Sequence, residues 1–210
     1  MTRVADLVRR LVDVMAACVG LIVGAPVMAC LAVMVRLRLG APVLFRQRRL
    51  GLGGTSFDLI KFRSMRNPAA GREGPEFDGE RITPLGQLLR SWSLDELPSL
   101  INLLRGDISL VGPRPLPVHY WPRFTTEQLR RFEVRPGITG LAQASGRNHI
   151  DWPERLALDV KYVRTRTLRL DVKILLRTIP VVLRRHGVGH GEAATMHELP
   201  QQVDPAVARG

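Results

Sequence analysis

The chain has 210 residues, of which 45% are hydrophobic and 5% aromatic, so its length suits one domain, with or without a membrane anchor. Its formal net charge of +12 predicts an anionic partner such as nucleic acid, a phospholipid surface or a phosphorylated substrate. The two cysteines, Cys18 and Cys30, lie in the apolar N-terminal region and form no CxxC pair. This pattern argues against a disulfide framework or a cysteine zinc site and favours a reducing cytoplasmic setting.

A charge-free apolar segment runs from Val14 to Val35. At about 1.5 Å per residue, a straight helix of this length crosses a bilayer core of about 30 Å. The segment is longer than the apolar part of a signal peptide, and its end before Arg36 is a poor cleavage site. We therefore expect residues 1–40 to stay in the protein as a membrane segment.

Two features of this segment favour a bend over a simple crossing. Pro26, which follows Ala25 near the middle, removes a backbone hydrogen bond and clashes with the preceding turn. Both flanks are also basic, and arginine-rich flanks stay on the cytoplasmic side. The sequence thus favours a re-entrant helix-break-helix, bent at Ala25 and Pro26, while a kinked transmembrane anchor stays open as the alternative. The flanking arginines are Arg3, Arg9, Arg10, Arg36, Arg38, Arg46, Arg48 and Arg49.

The region after the membrane segment predicts a small cytoplasmic domain over residues 41–186, of the α+β class and mainly helical. Short strands are predicted over 42–48 and 56–63, joined into a hairpin by a glycine-rich turn at 51–55. No helix follows those glycines, so they are not a dinucleotide-binding motif. Proline excludes regular helix from residues 109–117. Helices are predicted over 83–89, 97–104, 125–132, 154–165 and 171–185, and a loop over 67–79.

The last predicted helix, 171–185, carries an apolar stripe that includes Val172, Leu176 and Ile179. Because arginines flank this stripe, the helix suits an amphipathic, interfacial position on a membrane, and packing against the domain core is the alternative. Residues 187–210 contain few large apolar side chains and are expected to form a disordered tail.

Asp95 and Glu96 form the acidic pair at the centre of the densest polar region. Ser93 stands three residues before Glu96, as in a capping box, and Pro98 suits a first helical turn. One interpretation is therefore structural, because acidic side chains stabilise a helix N-terminus.

The other interpretation of this pair is chemical. Backbone N–H groups at a helix N-terminus hold adjacent carboxylates ionised, so that one can act as a nucleophile while its neighbour holds a divalent metal. A diphosphate also needs cations, and Arg114 stands between two prolines that restrict its backbone. This set is coherent for phosphoryl transfer. The candidate phosphate-binding residues are Lys61, Arg63, Arg90 and Arg114.

Several motifs occur in order along the chain. They are Phe45-x-Gln47-x-Arg49-x-Gly51, Lys61-Phe-Arg-Ser-Met65, Arg81-Ile-Thr-Pro-x-Gly86 with Leu89-Arg90, Ser93-Leu-Asp-Glu-Leu-Pro98, Leu104-Arg-Gly-Asp107, Ser109-Leu-Val-Gly-Pro-Arg-Pro115, Arg135-Pro-Gly-Ile-Thr-Gly-Leu141 with Gln143, and Asp159-x-x-Tyr162 with Asp171. Together these motifs resemble the bacterial sugar transferase family, the small monotopic phosphoglycosyl transferases. The resemblance extends from about residue 9 to residue 178.

The resemblance implies an enzyme that transfers a sugar 1-phosphate from a nucleotide sugar, with UDP expected, to polyprenyl phosphate and releases the nucleoside monophosphate. It implies that Asp95 is the nucleophile and that Glu96 is a ligand of Mg²⁺. Lys61, Arg90 and Arg114 would contact phosphate. A re-entrant helix in the bacterial inner membrane and an active site facing the cytoplasm are implied as well. Many relatives have serine before the proline of the bend, whereas this chain has Ala25.

A second class of function is a membrane-tethered basic binding module without catalysis. It explains the charge and the apolar segment, but not the acidic pair. Nucleic acid is disfavoured as a partner because the chain has only three Trp, two Tyr and six Phe to stack on bases. The expected partners are a nucleotide sugar, polyprenyl phosphate and inner-membrane lipid. The sugar, the pathway and the oligomeric state, monomer or homo-oligomer, stay open.

Overall fold

The computed structural model describes residues 3–68, 70–71, 77–145, 150–183 and 199–200. Within these ranges the chain is mainly helical and contains two small sheets, which confirms the predicted α+β class. The helices are α1 (Arg3–Leu39), α2 (Asp78–Arg81), α3 (Pro84–Ser91), α4 (Leu100–Arg105), α5 (Thr126–Leu129), α6 (Leu141–Ser145), α7 (Trp152–Thr165) and α8 (Leu168–Leu183). The strands are β1 (Leu44–Leu50), β2 (Ser56–Phe62), β3 (Ser109–Val111) and β4 (Gly137–Thr139), and 3-10 helices cover Leu52–Gly54, Leu94–Ser99, Val118–Arg123 and Arg130–Glu133.

The predicted hairpin is confirmed. Strands β1 and β2 pair antiparallel, from Leu44 opposite Phe62 to Leu50 opposite Ser56. The turn between them includes Gly53, whose φ of 64° lies in the left-handed region that glycine adopts without a steric penalty. This hairpin matters for function because Lys61 lies near the end of β2.

A second, parallel sheet was not foreseen. Strands β3 and β4 pair with Ser109 opposite Gly137 and Val111 opposite Thr139. The chains approach so closely beside this pair that a Cβ on Gly112 would lie 2.4 Å from the carbonyl oxygen of Arg135. Glycine is therefore required at the point where the chain leaves β3 for the proline-rich segment.

Helix α1 is one continuous helix of 37 residues with Pro26 inside it. It is long and apolar enough to cross a membrane. The helix continues through Ala25 and Pro26, so the predicted break is not confirmed, and the re-entrant topology stays a prediction.

Both halves of α1 pack against the rest of the domain. In the amino half, Ala17 is buried in a cluster with Leu103 and Ile108. In the carboxyl half, Val35 is buried in a cluster with Phe62 and other side chains of the domain. The opposite surface of α1 exposes large apolar residues over its whole length, which are Val4, Leu7, Leu11, Met15, Val19, Ile22, Val23, Val27, Val33 and Leu37.

Helix α8 has two apolar surfaces. Ile174 is buried and packs in a cluster with Val111 and Tyr162, which confirms that the helix packs against the core. Leu176 and Ile179 lie exposed on another surface of the same helix, as the interfacial interpretation requires. The two alternatives considered from the sequence are therefore compatible.

One local expectation is wrong, and another lies mostly beyond the described residues. The capping box at Ser93 does not form: Ser93 has a φ of 56° and makes no side-chain cap hydrogen bond, and a 3-10 helix follows it. Most of the expected disordered tail, 187–210, lies outside the described residues. Leu199, however, is fully buried beside Leu116 and Trp152, so this part of the tail is packed.

Candidate active site

Three parts of the chain meet at Glu96. Lys61 comes from β2, Glu96 from the 3-10 helix Leu94–Ser99, and Arg114 from the loop that follows β3. Lys61 Nζ donates to Glu96 Oε1 at 2.6 Å, and Arg114 Nη2 donates to the same oxygen at 3.0 Å. The structure thus brings together three of the predicted site residues.

The ionisation state of Glu96 follows from these contacts. Burial raises the pKa of its carboxyl, but the charges and hydrogen bonds of Lys61 and Arg114 outweigh burial and hold that pKa well below its ordinary value. Side-chain cations, rather than helix N–H groups as the sequence suggested, therefore keep this carboxylate ionised.

Asp95 has a different environment although it is the next residue. It is 8% exposed. Burial raises the pKa of its carboxyl, the charge of Glu96 adds to this effect, and Lys61, Arg90 and Arg114 oppose it. Two adjacent carboxyls whose pKa values are moved in opposite directions are typical of a site in which each has its own role.

The backbone before the acidic pair is strained. Ser93 is the one non-glycine residue with positive φ in the described part of the chain. Such conformations cost about 1–3 kcal/mol and persist where the surrounding structure enforces them, often at functional sites. Here the left-handed residue immediately precedes the helix that carries Asp95 and Glu96.

Arg90 and Arg63 differ in their relation to this site. Arg90 lowers the pKa of Asp95 by its charge, and its Nε donates to Ser64 Oγ at 3.0 Å, so it lies close to the acidic pair. Arg63 is buried, and its guanidinium donates to the carbonyl oxygens of Leu39, Gly40 and Ala41 at the carboxyl end of α1. The structure therefore shows Arg63 capping the carboxyl end of α1, and its phosphate contact stays a prediction.

A cavity adjoins Glu96. Arg49 lies in its wall together with Lys61 and Arg114, and the apolar part of the wall is formed by Leu59, Ile108 and Ile138. Burial and the nearby charge of Arg114 lower the pKa of Arg49 to about 10, which leaves it cationic at neutral pH. The sequence pattern placed Arg49 in a motif but did not identify it as a site residue.

The acidic pair fits a magnesium ion only in part. The described residues contain no group of three or more His, Cys, Asp or Glu side chains that would form a complete metal site. Mg²⁺ is commonly bound by one or two carboxylates together with substrate phosphates and water. Asp95 and Glu96 supply two adjacent carboxylates, so the donor set fits an ion that arrives with a diphosphate.

Comparison with known proteins assigns the family. A family model described as bacterial sugar transferase matches residues 4–185. The chain belongs to the bacterial sugar transferase family. This result confirms the resemblance seen in the sequence motifs.

Relatives within the family are similar over most of this chain. The uncharacterized sugar transferase EpsL of Bacillus subtilis is 45% identical, over 87% of this chain and 90% of that protein. The UDP-glucose:undecaprenyl-phosphate glucose-1-phosphate transferase of Caulobacter vibrioides is 42% identical, over 85% and 70%. The undecaprenyl-phosphate galactose phosphotransferase of Salmonella typhimurium is 37% identical over 88% of this chain but only 42% of its own length.

Proposed function

We propose that this protein transfers a sugar 1-phosphate from a nucleotide sugar, with UDP as the nucleotide, to undecaprenyl or a related polyprenyl phosphate. The observation that carries the proposal is Glu96, held ionised by Lys61 and Arg114 next to the buried carboxyl of Asp95. Two relatives in the family are named for the transfer of glucose 1-phosphate or galactose phosphate to undecaprenyl phosphate. The reaction would be the first membrane step in the synthesis of an exopolysaccharide, a capsule, an O-antigen or another glycoconjugate.

The chemistry divides into two displacements at phosphorus. An oxygen of Asp95 attacks the β-phosphorus of the nucleotide sugar, and the bond to the nucleoside monophosphate breaks, so that this group leaves. A phosphate oxygen of the polyprenyl carrier then attacks the same phosphorus and displaces Asp95. The ionised form of Asp95 is required, and the cations Lys61, Arg90 and Arg114 favour this form against the effect of burial.

The basic side chains stabilise the negative charge on the phosphoryl oxygens during the two displacements. Lys61 and Arg114 both donate to Glu96 Oε1, at 2.6 and 3.0 Å, so their donors converge on one anionic oxygen in the residue next to Asp95. A phosphoryl oxygen has the same charge and hydrogen-bonding chemistry as that carboxylate oxygen. Mg²⁺ held by Glu96 would neutralise part of the diphosphate charge.

The position of α1 supports a domain that stays on one side of the membrane. Asp13, on the amino side of the apolar segment, accepts hydrogen bonds from Ser109 Oγ and Leu110 N, both at 2.8 Å. Val35, at the other end, is buried against Phe62. A helix that crossed the bilayer would carry Asp13 and Val35 to opposite sides and break one of these two sets of contacts. We therefore propose a re-entrant, monotopic α1, with the site facing the cytoplasm at the inner membrane.

The decisive assay measures nucleoside monophosphate released from nucleotide sugars in the presence of polyprenyl phosphate. We expect ping-pong kinetics, and radiolabelled sugar retained on the protein when the carrier is withheld. Asp95→Asn should lose both the label and the turnover, because an amide is a poor nucleophile. Sequential kinetics without an adduct on Asp95 would refute the covalent route.

The same assay separates catalysis from binding. Binding of anionic vesicles without release of nucleotide, across a panel of nucleotide sugars, would favour the alternative function of a membrane-tethered basic module. The panel would also identify the sugar and the nucleotide.

A further inference from the structure

The segment from Pro113 to Pro117, which carries Arg114, is held almost entirely by donors from outside itself. Prolines at every second position remove N–H groups, so this backbone offers many acceptors and few donors. Each of its first four carbonyls nevertheless accepts a hydrogen bond. The donors are Gly137 N to Pro113 O at 2.9 Å, Arg131 Nη2 to Arg114 O at 2.8 Å, Arg49 Nη1 to Pro115 O at 3.1 Å and Leu50 N to Leu116 O at 2.9 Å.

Arg131 differs from Arg49 because it does not line the cavity beside Glu96. It lies on the 3-10 helix Arg130–Glu133 and is 2% exposed. Its Nη2 and Nε donate to Asp159 Oδ2, on α7, at 2.7 and 3.2 Å. The rings of Phe124 and Phe132 lie 5.5 and 5.2 Å from the guanidinium carbon. Arg131 is thus fixed on several sides, and it touches Arg114 through the backbone.

Stability alone does not explain the buried ion pair of Arg131 and Asp159. Burying two charges costs desolvation energy that their attraction barely offsets, and apolar residues of similar volume often replace a buried ion pair without loss. What apolar residues do not supply is a donor to the carbonyl of Arg114. An unpaired buried carbonyl would favour a shift of this segment.

We infer that Arg131, oriented by Asp159, is a positioning residue for the transfer reaction: it fixes the backbone of Arg114 so that the guanidinium of Arg114 reaches Glu96 and the phosphate beside it. This inference rests on the proposed function. The chain of contacts runs from Asp159 Oδ2 to Arg131 Nη2, from Arg131 Nη2 to Arg114 O, and from Arg114 Nη2 to Glu96 Oε1. Each link is between 2.7 and 3.0 Å.

The first test replaces the guanidinium group of Arg131 while keeping its positive charge. Arg131→Lys retains a cation for Asp159 but not the planar pair of donors. We expect kcat/KM for the nucleotide sugar to fall about 100-fold, as for a misplacement of about 1 Å at a reacting centre. The matched control is Arg130→Lys: Arg130 is the neighbouring residue and pairs at the surface with Glu133, so its replacement should leave kcat/KM unchanged.

The second test separates positioning from folding. Arg131→Met combined with Asp159→Leu removes both charges and leaves the carbonyl of Arg114 without its donor, so the melting temperature should fall by only about 5 °C or less. Activity should nevertheless fall as far as in Arg131→Lys. Full activity in this double variant would refute the inference.

The third test is a double-mutant cycle with Arg114. If Arg131 acts through Arg114, then Arg131→Lys should change kcat/KM by no more than about twofold in an Arg114→Lys background. If the about 100-fold loss persists there, the inference fails while the proposed function stands. A wild-type protein without transferase activity would refute the proposed function, and the inference with it.

Discussion

Glu96→Gln tests the centre of the candidate site most directly. The substitution keeps the shape and one acceptor oxygen of Glu96 but removes the charge that Lys61 and Arg114 share. Hydrogen bonds to charged groups contribute about 1.5–3 kcal/mol, and neutral ones about 0.5–1.5, so each of the two bonds loses roughly 1 kcal/mol. Because the Arg114 side chain is 39% exposed, solvent screening reduces its share.

The net loss of stability is therefore about 1–2 kcal/mol, which lowers the melting temperature by roughly 2–8 °C in a chain of this size. Activity should fall much further, by about 100-fold or more in kcat/KM, because two cations lose their alignment on the transferred phosphoryl group. Circular dichroism in detergent would follow unfolding, and release of nucleoside monophosphate would follow turnover.

A matched control exists within the same chain. Glu133 also accepts a hydrogen bond from an arginine, Arg130, at 2.9 Å, but both side chains are exposed. Glu133→Gln should change stability by less than about 0.5 kcal/mol and leave turnover as it was. If Glu96→Gln behaved like Glu133→Gln, with wild-type magnesium dependence, then Glu96 would have neither the anchoring nor the metal-binding role.

Further expectations concern topology, metal, pH and the buried residue near the C-terminus. In a chain whose two native cysteines are replaced by serine, single cysteines in place of Val4 and Leu52 should both be labelled only from the cytoplasm, and periplasmic labelling at position 4 would show a crossing helix. EDTA should abolish nucleotide release and Mg²⁺ should restore it, whereas full activity in EDTA would exclude a metal requirement. Because burial raises the pKa of Asp95, kcat/KM should be lost on acidification while the pH is still above 3.8, the ordinary pKa of aspartate. A kcat/KM that stays constant down to that pH would argue against Asp95 as the group that must be ionised. Leu199→Ala should destabilise the protein by about 2–5 kcal/mol in thermal unfolding, whereas Leu176→Ala, at an exposed position, should destabilise it by less than about 0.5 kcal/mol. Equal losses of stability in the two variants would contradict the packing of Leu199.

Local sequence determined much of this fold. The hairpin follows from two short strand-like runs on either side of a glycine-rich turn, in which Gly53 and Gly54 adopt positive φ. The helices predicted over 83–89 and 154–165 correspond to α3 and α7, and both are capped locally, since Thr83 and Asp151 each accept a hydrogen bond from a backbone N–H three residues ahead. The ordered motifs also identified the family without a structure.

Tertiary structure decided what the individual charged residues do. Arg63 and Lys61 are two positions apart in the sequence, yet one caps α1 and the other holds Glu96, because that choice depends on which distant backbone or carboxylate lies within reach. A capping box at Ser93 was one interpretation of the sequence, but Ser93 adopts a left-handed conformation and makes no side-chain cap hydrogen bond. These outcomes depend on groups far apart in the chain, and no local pattern encodes them.

The site itself shows the same division. The sequence named Asp95, Glu96 and Arg114 from their motifs, because residue type and spacing carry that information. It did not show that Glu96 Oε1 would be shared by cations 35 and 18 positions away. Nor did it show that Arg131, paired with Asp159 28 positions away, would donate a hydrogen bond to the carbonyl oxygen of Arg114. Sequence therefore indicated the candidate reacting groups, and only the packing of β2, the 3-10 helices and α7 around the proline-rich segment decided their contacts and orientation.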